Sequence, residues 1–310
     1  MTPGLTRRLP TGLAAVAGVG VAAVAWSTVE AHWYTLRRVR VPVLAPGSPE
    51  LRILHVSDLH LTPRQERKVA WVRSLAALDP HMFVDTGDNM AHRDALPPLL
   101  HALEPFLGLP GAFVMGSNDY FAPRPKNPAR YLTADARHRR LTELERLPAD
   151  ELAAALRSAG WKDLTNRRDV VEVDGRTLSL VGVDDPHLDR DRFPVVRGHR
   201  PTADVRLGVT HAPYRRVLDA MHDDGSDLVL AGHTHGGQLC VPGWGALVTN
   251  CDIDTRRAKG LHGWPGPRPD RTGGQDSSWL HVSAGLGTSP FAPVRFACRP
   301  EATLVTLVGR

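Results

Sequence analysis

The residues of this 310-residue chain that could do chemistry stand at the ends of apolar runs. The first are Asp58 and His60, two positions apart after the run at residues 51–56. In an extended chain, positions i and i+2 project to the same side, so a carboxylate and an imidazole leave the strand together, as ligands of a divalent metal do. Alone, Asp-x-His turns up often by chance. The chain supplies further donors: Asp88 in Thr86-Gly87-Asp88-Asn89, Asn118 in Gly116-Ser117-Asn118-Asp119-Tyr120, then His211, and His233 and His235 in Gly232-His233-Thr234-His235. Oxygen donors mixed with imidazoles suit Mn, Fe or Zn better than Ca, and the absence of cysteine from the set argues against a structural zinc. The set is too large for one catalytic ion with an open position. It suits two ions about 3.5–4 Å apart sharing a carboxylate, a pair that can ionise water at neutral pH and hold the attacking and leaving oxygens of a phosphoryl transfer. A purely structural role would bury several histidines and carboxylates together without a charge partner.

Short apolar runs alternate with helical patterns and position these groups. Strands are expected at residues 52–56, 81–85 and 111–115, with helices at 65–78 and, starting at or just after Pro97-Pro98, at 95–107. Three consecutive strands therefore end in polar groups, and ligand sites in open α/β sheets lie at the carboxyl ends of strands. Residues 121–148 break this rhythm with Pro123, Pro125 and Pro128 and seven basic residues and read as an insertion, either a solvated loop or a cap meeting phosphate or anionic lipid. A helix at 149–159 follows. Asp174-Gly175 marks a hairpin between strands 169–173 and 177–183. Strands at 205–210 and 228–231 end at His211 and before His233, with a short helix at 215–222 between them. A further strand starts at 239–241, residues 252–277 read as a long surface loop, and strands at 279–283 and 303–308 close the domain.

Composition is that of an ordinary globular protein, with 42% hydrophobic and 23% charged residues. Of the formal charge of +5, most belongs to residues 1–40, where Arg7, Arg8, Arg37, Arg38 and Arg40 face only Glu30. The rest is nearly neutral, so nucleic acid is not an expected partner. Three widely spaced cysteines form no metal or redox motif. Residues 9–29 carry no charge and are long enough to cross a bilayer as one helix, with Trp26, Trp33 and Tyr34 near the boundary. A single-pass membrane anchor is the first reading, with the side of the catalytic domain open. A secretory signal with Ala23-Val24-Ala25 as cleavage site is the second. The expected organisation is an anchor and basic segment at 1–40, a linker at 41–50 and one domain at 51–310.

The ordered blocks Asp58-Leu59-His60, Gly87-Asp88, Gly116-Ser117-Asn118-Asp119, His211 and Gly232-His233-Thr234-His235 resemble the calcineurin-like metallophosphoesterases over about residues 51–240. Ser283-Ala284-Gly285-Leu286-Gly287-Thr288 looks like the ending of that family's membrane-associated branch. The resemblance implies a four-layer α/β/β/α sandwich, the metallo-dependent phosphatase-like fold, here preceded by one transmembrane helix. It implies two divalent ions: Asp58, His60 and His235 on one, His211 and His233 on the other, and Asp88 between. It also implies hydrolysis of a phosphodiester, phosphomonoester or pyrophosphate, with a lipid-linked or nucleotide-sugar lipid among the substrates.

The departure lies at 116–119. Without a gap, Ser117 replaces the family's metal-binding Asn, and Asn118 replaces the His that protonates the leaving oxygen. Shifted by one residue, Asn118 is the ligand and Asp119 the neighbouring acid. An amide cannot act as a general acid at neutral pH, so Asn118, Asp119 or His187 are the candidates for that neighbourhood. The alternative is a metal-binding, non-catalytic membrane module. His55 reads as a core histidine, His92 as exposed, and Asp184 and Asp185 as turn caps or partners that orient an imidazole.

Overall fold

The computed structural model describes residues 11–125, 144–194 and 202–310. Its elements in chain order are α1 (Thr11–Glu30), β1 (Thr35–Leu44), β2 (Leu51–Val56), α2 (Glu66–Ser74), β3 (Met82–Asp85), α3 (Leu96–Leu103), β4 (Gly111–Phe113), α4 (Ser117–Tyr120) and α5 (Ala149–Ser158). There follow β5 (Lys162–Asp163), β6 (Arg168–Val173), β7 (Arg176–Gly182), β8 (Val205–Thr210), α6 (Arg215–Asp223), β9 (Leu228–Ala231), β10 (Cys240–Val241), β11 (Gly245–Ala246), β12 (Gly260–Trp264), β13 (Ser278–Val282) and β14 (Glu301–Gly309).

Alternation along the strands sorts side chains between layers. Ile53, Met82, Val84, Ala112 and Val114 pack with Leu178, Leu180, Leu207, Val209, Leu228 and Leu230 in a core between two six-stranded sheets. Leu54, Val56, Phe83 and Phe113 point the other way, onto α2, α3 and α5. On the outer face of the second sheet, Val229, Ala231, Leu280 and Val282 pack with Val217, Leu218 and Met221 of α6. The result is an α/β fold of two facing mixed sheets with helices outside each. The sheet orders are β1-β14-β2-β3-β4-β5 and β12-β13-β9-β8-β7-β6. In each, parallel neighbours deliver their carboxyl ends to one edge: β2, β3 and β4 in the first, β7, β8 and β9 in the second. The residues after β2, β3, β8 and β9 are the predicted ligands.

Two expectations are corrected and a third finds no support. The end of the stretch read as basic segment and the start of that read as linker form one strand: β1 (Thr35–Leu44) runs parallel to β14, with Val41, Val43 and Leu44 buried. Pro42 is tolerated because β1 is an edge strand, where a missing N–H breaks no ladder. The domain's sheet therefore begins at Thr35, not at residue 51. Second, the expected loop at 252–277 contains β12, which pairs antiparallel with β13 and buries Trp264; its glycines and prolines masked a short strand. Third, among the described residues no helix is long and apolar enough to cross a membrane. The transmembrane reading of residues 9–29 finds no support in α1, and the start of that span lies outside the described residues. So does most of the expected insertion, residues 126–143; its two flanks meet in an antiparallel bridge between Phe121 and Arg146.

Candidate metal centre

Five of the predicted ligands adopt left-handed backbone, with φ of +51° at Asp58, +42° at His60, +58° at Asp88, +69° at His233 and +49° at His235. Such conformations are uncommon for residues with a side chain and cost of order 1–3 kcal/mol each, so they persist where surrounding structure enforces them. Here the enforcement is close packing of one ligand loop on another. A Cβ on Gly232 would strike Ser57 Oγ and lie 2.6 Å from Asp58 Oδ2, and one on Gly116 would strike Asp88 Oδ1. Glycine at 232 lets loops from opposite sheets meet, and glycine at 116 lets the loops after β3 and β4 of the first sheet pack on each other.

The loops bring imidazole nitrogens into two facing pairs. His60 Nε2 lies 3.2 Å from His235 Nε2, and His211 Nε2 lies 3.2 Å from His233 Nδ1. Asp88 stands between the pairs, with Oδ2 3.4 Å from His60 Nε2 and Oδ1 3.6 Å from His211 Nε2. Asp58 Oδ1 lies 3.7 Å from His235 Nε2, and both its oxygens accept from the His233 amide at 3.2 and 3.0 Å. Donor atoms of Asp58, His60 and His235 fall within 4.8 Å of one another, as do those of Asp58, Asp88 and His211.

Outer contacts fix which nitrogen faces inward. The carbonyl of Thr86 is 2.8 Å from His211 Nδ1, and that of Asn250 is 3.1 Å from His233 Nε2. Each carbonyl takes the ring's N–H in the neutral form, leaving His211 Nε2 and His233 Nδ1, the facing pair, as lone-pair donors. Arg295, fully buried, donates to the His235 carbonyl at 2.9 Å and to the Gly285 and Gly287 carbonyls at 3.2 and 2.6 Å, with Nη2 3.1 Å from His235 Nδ1. It holds that ring with Nε2 toward His60. Ser57 Oγ donates to Asp58 at 2.5 Å.

Charge is distributed unequally. Burial pushes the Asp58 carboxyl up to about 6, against His211. Burial also acts on Asp88, but His211 and then His60 outweigh it and hold that carboxyl well below the usual range. Burial alone would lower His211, yet Asp88, Asp185 and Asp58 raise it to about 9. Burial lowers His60 to about 4 and takes His233 and His235 well below 6.5, so these three are neutral donors at neutral pH. The group fits a divalent metal centre: two pairs of convergent imidazoles share two buried carboxylates, and His60 Nδ1 is buried without a hydrogen-bond partner.

The remaining predicted residues separate. Asn118 is at the centre: its backbone and side-chain amides donate to the two Asp88 oxygens at 2.7 and 2.8 Å. The side-chain nitrogen, not the oxygen, therefore faces the carboxylate. Asp119 is fully buried and accepts backbone N–H groups from Asp88, Asn89 and Gly116 at 2.8, 2.9 and 2.9 Å. It clamps the Asp88 loop rather than facing a reacting group. His187 does reach the centre: its ring lies 4.6 Å from that of His233, and its Nδ1 is 3.0 Å from the Tyr214 hydroxyl. Asp185 accepts from the His187 amide at 2.8 Å, and Asp184 accepts from Tyr120 and Arg190, both at 2.8 Å. His55 is a core residue between His281 and Thr86, and His92 caps a turn at Asp94. Arg295 and Asn250 had no signal in sequence; both lie in loops far from the motifs and act through contacts only folding makes.

The model of the calcineurin-like phosphoesterase family matches residues 51–237, which hold every ligand described above. The chain belongs to that family and is a hydrolase of phosphate esters. It is 23% identical over 312 residues to the uncharacterized protein YpbG of Bacillus subtilis, an alignment covering 96% of each chain. It is 26% identical to the phosphodiesterase YaeI of Escherichia coli, over 90% of each chain. It is also 26% identical to the UDP-2,3-diacylglucosamine pyrophosphatase LpxG of Chlamydia trachomatis, over 82% of this chain and 83% of that protein.

Because Asp88 and its neighbours keep His211 protonated up to about pH 9, metal must displace that proton to use the ring. Loading the metal-free protein with Mn²⁺ at neutral pH is expected to release about one proton per chain, falling toward zero above pH 9. Calorimetric titration in buffers of different ionisation enthalpy checks this; heats independent of buffer at neutral pH would contradict it.

Proposed function

We propose that this chain is a dinuclear phosphoesterase acting on a phosphodiester or pyrophosphate whose other half is a lipid. The observation that carries the dinuclear reading is the placement of one carboxylate, Asp88, between two pairs of facing imidazole nitrogens. His60 and His235, with Asp58, would hold one ion; His211 and His233 would hold the other, with Asp88 shared. When bound, two divalent ions Mn, Fe or Zn would supply activation of water and stabilisation of the phosphoryl oxygens. Asn118 gives its N–H groups to Asp88 and keeps that carboxylate oriented. Neutral His60, His233 and His235 present lone pairs at neutral pH, and Asp119 and Arg295 hold the loops that carry the ligands. The named activities of the phosphodiesterase and pyrophosphatase relatives support the bond type, and the diacylglucosamine in the pyrophosphatase's name supports the lipid half.

Leaving-group protonation falls to His187. Asn118 has no proton to give at neutral pH, and Asp119 is turned onto backbone amides. The His187 ring packs on His233 and is oriented by Tyr214.

Two outcomes are expected. Asp88→Ala loses both retained Mn²⁺ and hydrolysis of a bis-aryl phosphate; a Mn²⁺-loaded wild type no faster than this variant on every phosphate ester would defeat the enzyme reading. His187→Gln slows a diester with an alkyl leaving group about 10²-fold or more. The same variant keeps its metal content and stays within a few-fold of wild type on the bis-aryl ester, whose leaving group needs no proton. Equal slowing on both esters would remove His187 from the acid role.

A further inference from the structure

The exposed apolar side chains are not scattered. Eleven large ones are exposed among the described residues, and ten fall on two segments and the chain that ties them, leaving Val170 alone elsewhere. The first segment is the end of α1 with the turn after it: Val21, Val24, Trp26, Val29 and Trp33. The second is the β10–β11 hairpin with its flanks: Leu239, Val241, Trp244 and Leu247. Trp244, at the hairpin turn, is 81% exposed, Leu247 59% and Phe291 53%. Isolated exposed apolar residues are normal, but a cluster that includes a tryptophan at a turn marks an interaction surface.

Residues 291–298 join the two segments. The Arg295 amide donates to the Ser27 carbonyl at the end of α1 (2.9 Å), and Glu30 accepts from the amides of Ala297 and Cys298 at 3.0 and 2.7 Å. On the other side, Gln238 donates to the Ala292 and Val294 carbonyls at 2.9 and 3.1 Å, and the Cys240 amide to that of Phe296 at 2.8 Å. The Arg295 side chain in turn holds His235. The apolar surface and the metal centre are therefore fixed to each other, with Leu239 four residues along the chain from His235.

The rim indicates the occupant. Trp33 carries Arg299 over its ring at 3.5 Å and is followed on β1 by Arg38, while Arg37 beside it is paired with Glu301 at 3.1 Å. Tryptophans beside arginines, bordering exposed valine, leucine and phenylalanine, match the boundary between lipid headgroups and acyl chains. We propose that the end of α1, residues 239–247 and Phe291 dock on an anionic lipid bilayer, so that the metal centre meets phosphate esters held in that surface. The lipid part of the substrate rests on the function proposed above; the docking surface does not.

Hydrogen–deuterium exchange of the full chain, with and without phosphatidylglycerol vesicles, tests the docking. Residues 239–247 and 290–294 are expected to exchange several-fold more slowly with vesicles, and less so with phosphatidylcholine alone. The double variant Trp244→Glu, Leu247→Glu should lose the protection while hydrolysing a soluble bis-aryl phosphate like wild type. Protection absent from 239–247, or confined to residues before 30, would overturn the proposal. So would protection that appears with rising protein concentration and no lipid, since the surface would then join two copies of the chain. Failure of the soluble ester in wild type would instead count against the phosphoesterase reading alone.

Discussion

Asp88 is the residue on which the centre depends. Its carboxylate is buried between His60 and His211, each oxygen facing one ring. A buried carboxylate is costly unless charge and hydrogen bonds compensate it. Here the compensation comes from both sheets: His211 follows β8 in the second, while His60 and Asn118 follow β2 and β4 in the first. Asp119 fixes the loop itself by taking the amides of Asp88 and Asn89. The strained φ values, the glycines at the loop contacts and the tight pairs of imidazoles all follow from bringing these loops onto one carboxylate.

That arrangement creates an electrostatic asymmetry. His60, His233 and His235 are driven neutral by burial and face inward as lone-pair donors, whereas His211 retains a proton because three carboxylates surround it. Without metal, Asp88 and His211 form a buried ion pair; with metal, the same carboxylate would serve two cations. The polar cluster in the protein alone is thus poised for positive charge, which is the chemistry a phosphoryl transfer needs where charge develops on oxygen.

Much of this was legible in the sequence because each ligand follows its own strand. The runs ending before Asp58, Asp88, His211 and His233 are local signals, and the structure keeps strands at 205–210 and 228–231 as read. Other parts depend on distant contacts. The role of Asp119 is set by amides about thirty residues earlier, so its position beside Asn118 suggested an acid where the fold makes a clamp. Arg295 lies in an irregular stretch and gains its meaning only from the His235 carbonyl. β1 was hidden by Pro42, harmless on an edge strand, and β12 by a composition of glycine, proline and arginine. The helical segment at the start was read from hydropathy alone, which does not report the tie between Ser27 or Glu30 and residues 295–298.

The central claim, that two ions share Asp88, is tested most directly by electron paramagnetic resonance of the protein titrated with Mn²⁺. The account predicts two equivalents per chain and a spin-coupled signal once both are present. One equivalent, with only the six-line signal of an isolated ion, would contradict it.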